Sequence, residues 1–329
     1  MNRISRREAI AGIVAGGSAF LSFDKQISAN HSAIEKEPFG RKTPDLTTAE
    51  IAAIETALGK KGKYVEPESV YTVSLPRNDL KVSVKGENVP ISFGFGGWVS
   101  IKKTIDGKSA VLMSDTVLLE EEVNPLISSA QTNDLEISAI HNHFFYEQPR
   151  IFYMHLHGMG DPVSLAKNYA AAIKNGKLSP ANQPNVAAPE QTAKEIFNLP
   201  ALDKIVGHTG AVNGASYKYT IGRGDLTVRA MGAEMTAHIG LNSWAAFAGT
   251  PNAAHIAGDI AMLESEVNSV IRALRQNNLE VVALHHHMLG ESPRIIFLHY
   301  YGRGAADKLA QGFRVALNVT GRKTASHQH

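Results

Sequence analysis

From Ile151 to Gly160 apolar and polar side chains alternate: Phe152, Met154 and Leu156 fall on even positions, while Tyr153, His155 and His157 fall on odd ones. A period of two over this length predicts a β-strand with one apolar face. The segment before it, Leu135 to Phe144, alternates too, with His141 and His143 on one face and Ile140, Asn142 and Phe144 on the other. With Glu147 to Pro149 as the turn, the two segments form an antiparallel hairpin. Pairing His141 or His143 with His155 places every odd-numbered residue on one face, and the even face is apolar enough to pack under helices.

The same pattern occurs twice. LEISAIHNHFFYEQPRIFYMHLHGMG from Leu135 aligns without a gap on LEVVALHHHMLGESPRIIFLHYYGRG from Leu279, an offset of 144 residues. His141, His143, Glu147, Arg150 and His155 fall on His285, His287, Glu291, Arg294 and His299, and Asp115 falls on Asp259. Farther upstream the offset becomes 146, with Arg77 on Arg223, Asp79 on Asp225 and Trp98 on Trp244. A period this long marks a duplicated domain rather than a solenoid unit. Extended segments are expected near Tyr71–Val84, Pro90–Ile101 and Ala110–Leu118, then a helix over Leu119–Ala130. The second copy repeats them as Tyr217–Ala230, Met235–Phe247, Ala257–Met262 and a helix to Arg275. Strand runs followed by helices predict an α+β fold: two tandem copies of an antiparallel sheet with helices packed on one face. The expected domains are residues 47–176 and 197–320, joined by a linker over 177–196 that is rich in Pro, Asn and Ala.

Residues 1–29 place Arg6 and Arg7 before an apolar stretch from Ala9 to Phe23, a targeting segment that resembles a twin-arginine export signal. The mature chain is expected to begin with a tail to residue 46 and to end in another over 321–329. Periplasmic or other export is the implied location, and no later segment is apolar enough to form a stable transmembrane domain. Lys and Arg total 33 against 31 for Asp and Glu, so no strong field draws the chain to nucleic acid. Cysteine is absent, which excludes disulfides, thiolate ligands and a lipid-modified N-terminal cysteine. Any metal must therefore be held by nitrogen and oxygen.

The candidate ligands are His141, His143, His155 and His157 in the first copy and His285, His287 and His299 in the second, where Tyr301 replaces His157. Facing Cβ atoms in an antiparallel ladder lie about 5 Å apart, a gap that imidazoles close around an ion. The expected cofactor is a divalent transition metal such as zinc or copper, one per copy or one site shared between the halves. Glu147 and Glu291 are candidate carboxylates, and Arg150 and Arg294 are candidate clamps for a phosphate or carboxylate. Asp115 and Asp259 read as helix caps or as partners of the histidines, with capping favoured. The glycine pairs Gly158/Gly160 and Gly302/Gly304 read as strand-to-helix turns, with Asp161 as an N-cap before Pro162.

The doubled hairpin with its His-Asn-His or His-His-His core, Pro-Arg turn and glycine pair resembles the LppY/LpqO family of exported bacterial proteins, from about Leu46 to Thr320. The resemblance implies export and duplication, and supplies no reaction because that family is a domain of unknown function. Three functions remain open on the residues alone. They are metal-assisted hydrolysis, metal-free acid and base work by histidines on a phosphate ester, and binding of a metal ion or small anion without turnover.

Overall fold

The computed structural model describes residues 43–174 and 188–321. The export segment, most of the N-terminal tail, the linker up to residue 187 and the tail after Gly321 lie outside the described residues. The first copy runs α1 (Thr48–Leu58), β1 (Lys63–Val65), β2 (Val70–Pro76), β3 (Val82–Val84), β4 (Glu87–Val89), β5 (Gly96–Lys103) and β6 (Ala110–Leu119). It continues with α2 (Glu120–Thr132), β7 (Glu136–His141), β8 (Glu147–Gln148), β9 (Ile151–Gly160) and α3 (Pro162–Ile173). The second copy runs α4 (Ala193–Ile196), α5 (Leu199–Val206), β10 (Ala211–Asn213), β11 (Ser216–Gly222), β12 (Val228–Ala230), β13 (Ala233–Met235) and β14 (Asn242–Thr250). Then come β15 (Ala253–Leu263), α6 (Val267–Gln276), β16 (Glu280–His285), β17 (Ile295–Gly304) and α7 (Ala306–Leu317).

Each copy builds a six-stranded antiparallel sheet with the same order, β1-β2-β5-β6-β9-β7 and β10-β11-β14-β15-β17-β16. The α+β reading holds. Strand alternation separates the faces. Even residues of β6 and β9, such as Leu112, Leu118, Met154 and Leu156, pack with Leu126, Leu165 and Tyr169 of the helices. Odd residues of the same strands, including Val117 and Tyr153, meet Ala246, Ala257 and Tyr301 of the second copy. Val111 and Met113 likewise share a cluster with Ala261, Ile295 and Phe297. The two sheets therefore stack face to face between two outer layers of helices. Each inner face is covered both by its own copy's hairpin, Val82–Val89 or Val228–Met235, and by residues of the other copy, and the described residues of the two copies form one compact unit.

The repeated Arg, Asp and Glu positions brace the entry to the first helix after the sheet. Arg77 is fully buried and pairs with Asp79 and Glu122, while Glu122 also accepts a hydrogen bond from the Leu119 amide at 2.8 Å. Arg223, Asp225 and Glu266 repeat the arrangement, with Glu266 accepting from Leu263 at 2.8 Å. These glutamates cap the helix starts. Asp115 and Asp259, for which capping was favoured, instead lie inside β6 and β15 and face inward.

Several local expectations change. Pro90–Ile101 is not one strand, because a 3₁₀ turn occupies Ile91–Phe93; Ala237–Ile239 interrupts the second copy at the matching place. Residues 193–196, expected in the linker, form a short helix with Glu195 reaching back to the Thr192 amide. Asp161 caps α3 as expected, accepting from Ser164 at 2.8 Å. Among the described residues no helix is long and apolar enough to cross a membrane.

Candidate metal centre

The hairpin register differs from both pairings considered. Ala139 lies opposite His155 and His141 opposite Tyr153, with a bulge between Ile137 and Ala139. Parity survives, since 141 and 153 are both odd, so the histidines keep the inner face. The bulge has its own use: Ser138 donates to the His287 carbonyl across the molecule at 2.5 Å. His143 lies just beyond the end of β7 and still reaches the centre, because the chain crosses to β8, which pairs with β3 rather than turning tightly.

Each sheet contributes one transverse row. Trp98, Asp115 and His155 are in register across β5, β6 and β9, and Trp244, Asp259 and His299 are in register across β14, β15 and β17. Face-to-face stacking brings the rows together and joins the histidines of both copies into one cluster. His141 and His285, which are equivalent positions, stack with ring centroids 3.8 Å apart. The crossed pairs are nearly equal, His143 to His299 at 3.7 Å and His155 to His287 at 4.1 Å. Tyr153 under His143 and Phe297 under His287 complete the approximate two-fold arrangement, at 3.2 and 3.4 Å.

Three of the rings have their tautomer fixed. A carbonyl can only accept, so the Nδ1–H groups of His155, His287 and His299 donate to Ser114, Gly240 and Gly258, at 2.9, 2.9 and 3.1 Å. Their Nε2 lone pairs then point inward, as in histidines oriented for a metal. His141 Nε2 lies 3.2 Å from His299 Nε2. Two ligands of a tetrahedral ion at about 2.1 Å would be roughly 3.4 Å apart. Among the described residues both ring nitrogens of His143 and His285, Nδ1 of His141, Nε2 of His155 and one oxygen each of Asp115 and Asp259 are buried without a hydrogen-bond partner. So many unmet polar atoms in one place are costly in a closed core. They form ligand sets: His141, His155 and His285; His141, His143 and His299; and Asp259, His285 and His287 each bring ligand atoms within 4.8 Å of one another. The donor set of nitrogen and oxygen fits zinc or copper.

Burial dominates the electrostatics. It holds the pKa values of His141, His143, His155, His285 and His299 well below the usual histidine range, and that of His287 at about 3, with neighbouring imidazoles adding to the effect at most of them. Burial, reinforced by Asp259, pushes Asp115 up to about 8, and burial raises Asp259 well above the usual carboxyl range. Asp259 Oδ2 stands 3.3, 3.8 and 4.0 Å from Nε2 of His287, His299 and His285, whereas Asp115 Oδ2 is 3.8 Å from His143 Nε2.

The structure thus joins six of the seven candidate histidines. His157 stands apart, its Nδ1 3.1 Å from the Met231 sulfur and its Nε2 3.3 Å from Glu136. Glu147 and Glu291 are not brought to the cluster. Each is buried under its own hairpin and accepts from the amide four residues on, at Ile151 and Ile295. Arg150 and Arg294 are exposed, with Arg150 over the Phe152 ring, and clamp nothing near the histidines.

A cavity of about 170 Å³ lies beside the centre and is lined by Asp115, Asp259, His143, His287 and His299 together with Trp98, Trp244 and Lys218. Gly240 makes room for this geometry. Its backbone is in the left-handed region at φ +100°, and a Cβ there would sit 3.2 Å from the Trp98 ring. Sequence reasoning did not assign Lys218 to the site. The two aspartates carried a usable signal, as they recur at the histidine offset of 144 in otherwise apolar strands.

Fold and site define a class: a duplicated α+β protein that encloses a histidine and aspartate cluster between its two copies. The chain belongs to the family described as a Domain of Unknown Function (DUF1259), whose family model matches residues 52–175 and again 200–319. No curated protein and no solved structure matches the chain.

Proposed function

We propose that the chain is a metalloprotein in which His141, His143, His155, His285, His287 and His299, with Asp259 and Asp115, hold a divalent transition metal, zinc or copper, at a centre shared by the two copies. The observation that carries this reading is the convergence of six buried imidazoles, four of which (His141, His143, His155 and His285) keep a ring nitrogen without a hydrogen-bond partner. Three of them are oriented through Nδ1 by backbone carbonyls. The cavity at the centre supports an open coordination position, and metal-assisted hydrolysis of a small molecule is the activity that such a position favours. Two observations weigh against metal-free acid and base work on a phosphate ester. The cluster histidines are held neutral by burial, and the proposed clamps Arg150 and Arg294 lie on the surface.

Export to the periplasm, and membership of the LppY/LpqO group in particular, are part of the proposal; export rests on Arg6, Arg7 and the apolar run after them, and the group on the doubled histidine hairpin with its Pro-Arg turn and glycine pair. Cell fractionation with N-terminal sequencing tests export. Elemental analysis of untagged protein from its native compartment tests the centre. The reading expects stoichiometric metal in the wild type and its loss in His141→Ala and in His285→Ala, whichever copy carries the change. Metal-free wild type that also fails to take up zinc or copper would refute it.

A further inference from the structure

Lys218 departs from the two-fold pattern of the cavity. Position 218 is the partner of Thr72 at the offset of 146 that relates Trp98 to Trp244, so one wall offers a hydroxyl and the other an ammonium. Lys218 is half-buried, and its Nζ lies 4.5 Å from the centroid of the Trp244 ring. Among the described residues it makes no hydrogen bond and no ion pair. Asp115 and Asp259 act on the ammonium electrostatically from the same cavity, but neither forms an ion pair with it, so its donors remain unused and face the cavity that all three line.

The cavity also limits its occupant. About 170 Å³ is well below the roughly 300 Å³ at which drug-sized pockets begin, so a small molecule or a small group of a larger one fits. Both indoles line it, together with Asp115, Asp259 and three histidines of the centre. With a divalent ion at that centre, the ion and Lys218 outweigh the two carboxylates in formal charge. A compact anion is the ligand for which this charge distribution is complementary.

We infer that the cavity between Trp98 and Trp244 binds a small oxyanion, a phosphate or carboxylate group, with Lys218 as its cationic partner. The inference rests on the metal reading for the ion whose charge, with Lys218, outweighs the two carboxylates, and Lys218 fixes which way round the anion lies in an otherwise two-fold cavity. Recognition by a point charge with three donors tolerates either oxyanion, so phosphate and acetate serve as probes.

The test measures inorganic phosphate and acetate binding by calorimetry on the full chain, metal-loaded and metal-free, for wild type, Lys218→Thr, Lys218→Met and Lys218→Arg. Metal content is determined on the same samples. Lys218→Thr copies the wall that the other half already has, so it tests charge without crowding. The expected result is binding of at least one oxyanion by wild type, tenfold or more weaker in Lys218→Thr and Lys218→Met, largely retained in Lys218→Arg, with metal content equal in all four. Absence of binding of both probes by wild type at millimolar concentration overturns the inference. So does binding that neither Lys218→Thr nor Lys218→Met weakens. Failure of the metal reading would appear separately, as wild type without metal, while the dependence of anion binding on Lys218 is still measured on the metal-free chain.

Discussion

His141 Nε2 and His299 Nε2 approach to 3.2 Å although 158 residues separate them, one on a strand of the first copy and the other on a strand of the second. Neither copy encloses the centre alone. The two sheets meet by their histidine faces, so duplication here makes one composite centre where two separate ones were equally open on the sequence. Stability, assembly and metal binding should therefore be linked through this contact.

Metal removal should lower stability. A ligand that binds only the folded state at a free concentration 100 times its Kd stabilises it by about 2.7 kcal/mol. For a chain of this size that corresponds to a rise in Tm of about 4–5 °C. Thermal unfolding of chelator-treated protein with and without added zinc or copper measures the difference. His143→Ala, His287→Ala should show no such rise.

A single copy should not persist as a native fold. Residues 197–320 alone would uncover the side of the cluster of Phe297, Ile295, Met288 and Ala261 that Val70, Val111 and Met113 of the first copy close in the whole chain. The expected behaviour is association or a loosely packed state, with strong dye binding and little near-ultraviolet dichroism. A monomeric fragment with a sharp cooperative transition would show that each sheet is self-sufficient.

Metal-free protein should be most stable near neutral pH. The cluster histidines have pKa values lowered by burial, so below about 6.5 the unfolded chain binds more protons than the folded one and stability falls with pH. Asp115 and Asp259 act in the opposite sense. Their folded pKa values are raised, Asp115 to about 8, so their contribution to stability is lost as pH rises from the ordinary carboxyl range toward 8. Six imidazoles outweigh two carboxyls on the acid side. Unfolding midpoints from pH 4 to 9 should rise, pass a maximum and fall; a flat acid side would contradict neutral burial of the cluster.

Much of this was legible in the chain because the pattern occurs twice. Alternation assigned the faces of β9 and β17, and the offset of 144 identified three histidine pairs and the hairpins that hold them. Register was not legible, since the bulge at Ser138 shifts it without changing parity. Asp115 and Asp259 were read as caps because a helix follows each strand closely, whereas Glu122 and Glu266 perform that task. Lys218 escaped because it breaks the repeat. His157 illustrates the converse: it shares parity with His155, but sits one pleat farther along β9, where Met231 and Glu136 meet it instead of the cluster. Parity sets the face of a sheet, and only the packing of the second sheet decides where along that face a site forms.

The two aspartates should contribute unequally despite the approximate symmetry. Asp259 Oδ2 lies within 4.0 Å of Nε2 on His285, His287 and His299, while among the described residues Asp115 Oδ2 comes as close only to His143, at 3.8 Å. A carboxylate near three ligand nitrogens can coordinate or orient an ion, and loss of groups that orient ligands commonly weakens metal binding by about 10–100-fold. Asp259→Asn should therefore weaken zinc binding by at least that range, and Asp115→Asn by clearly less. Both substitutions preserve shape, so folding is checked by dichroism and the comparison is made by competition with a chelator of known affinity. Equal losses would mean that the ion sits on the two-fold axis between the copies; a greater loss in Asp115→Asn would place it nearer His143 and the first sheet.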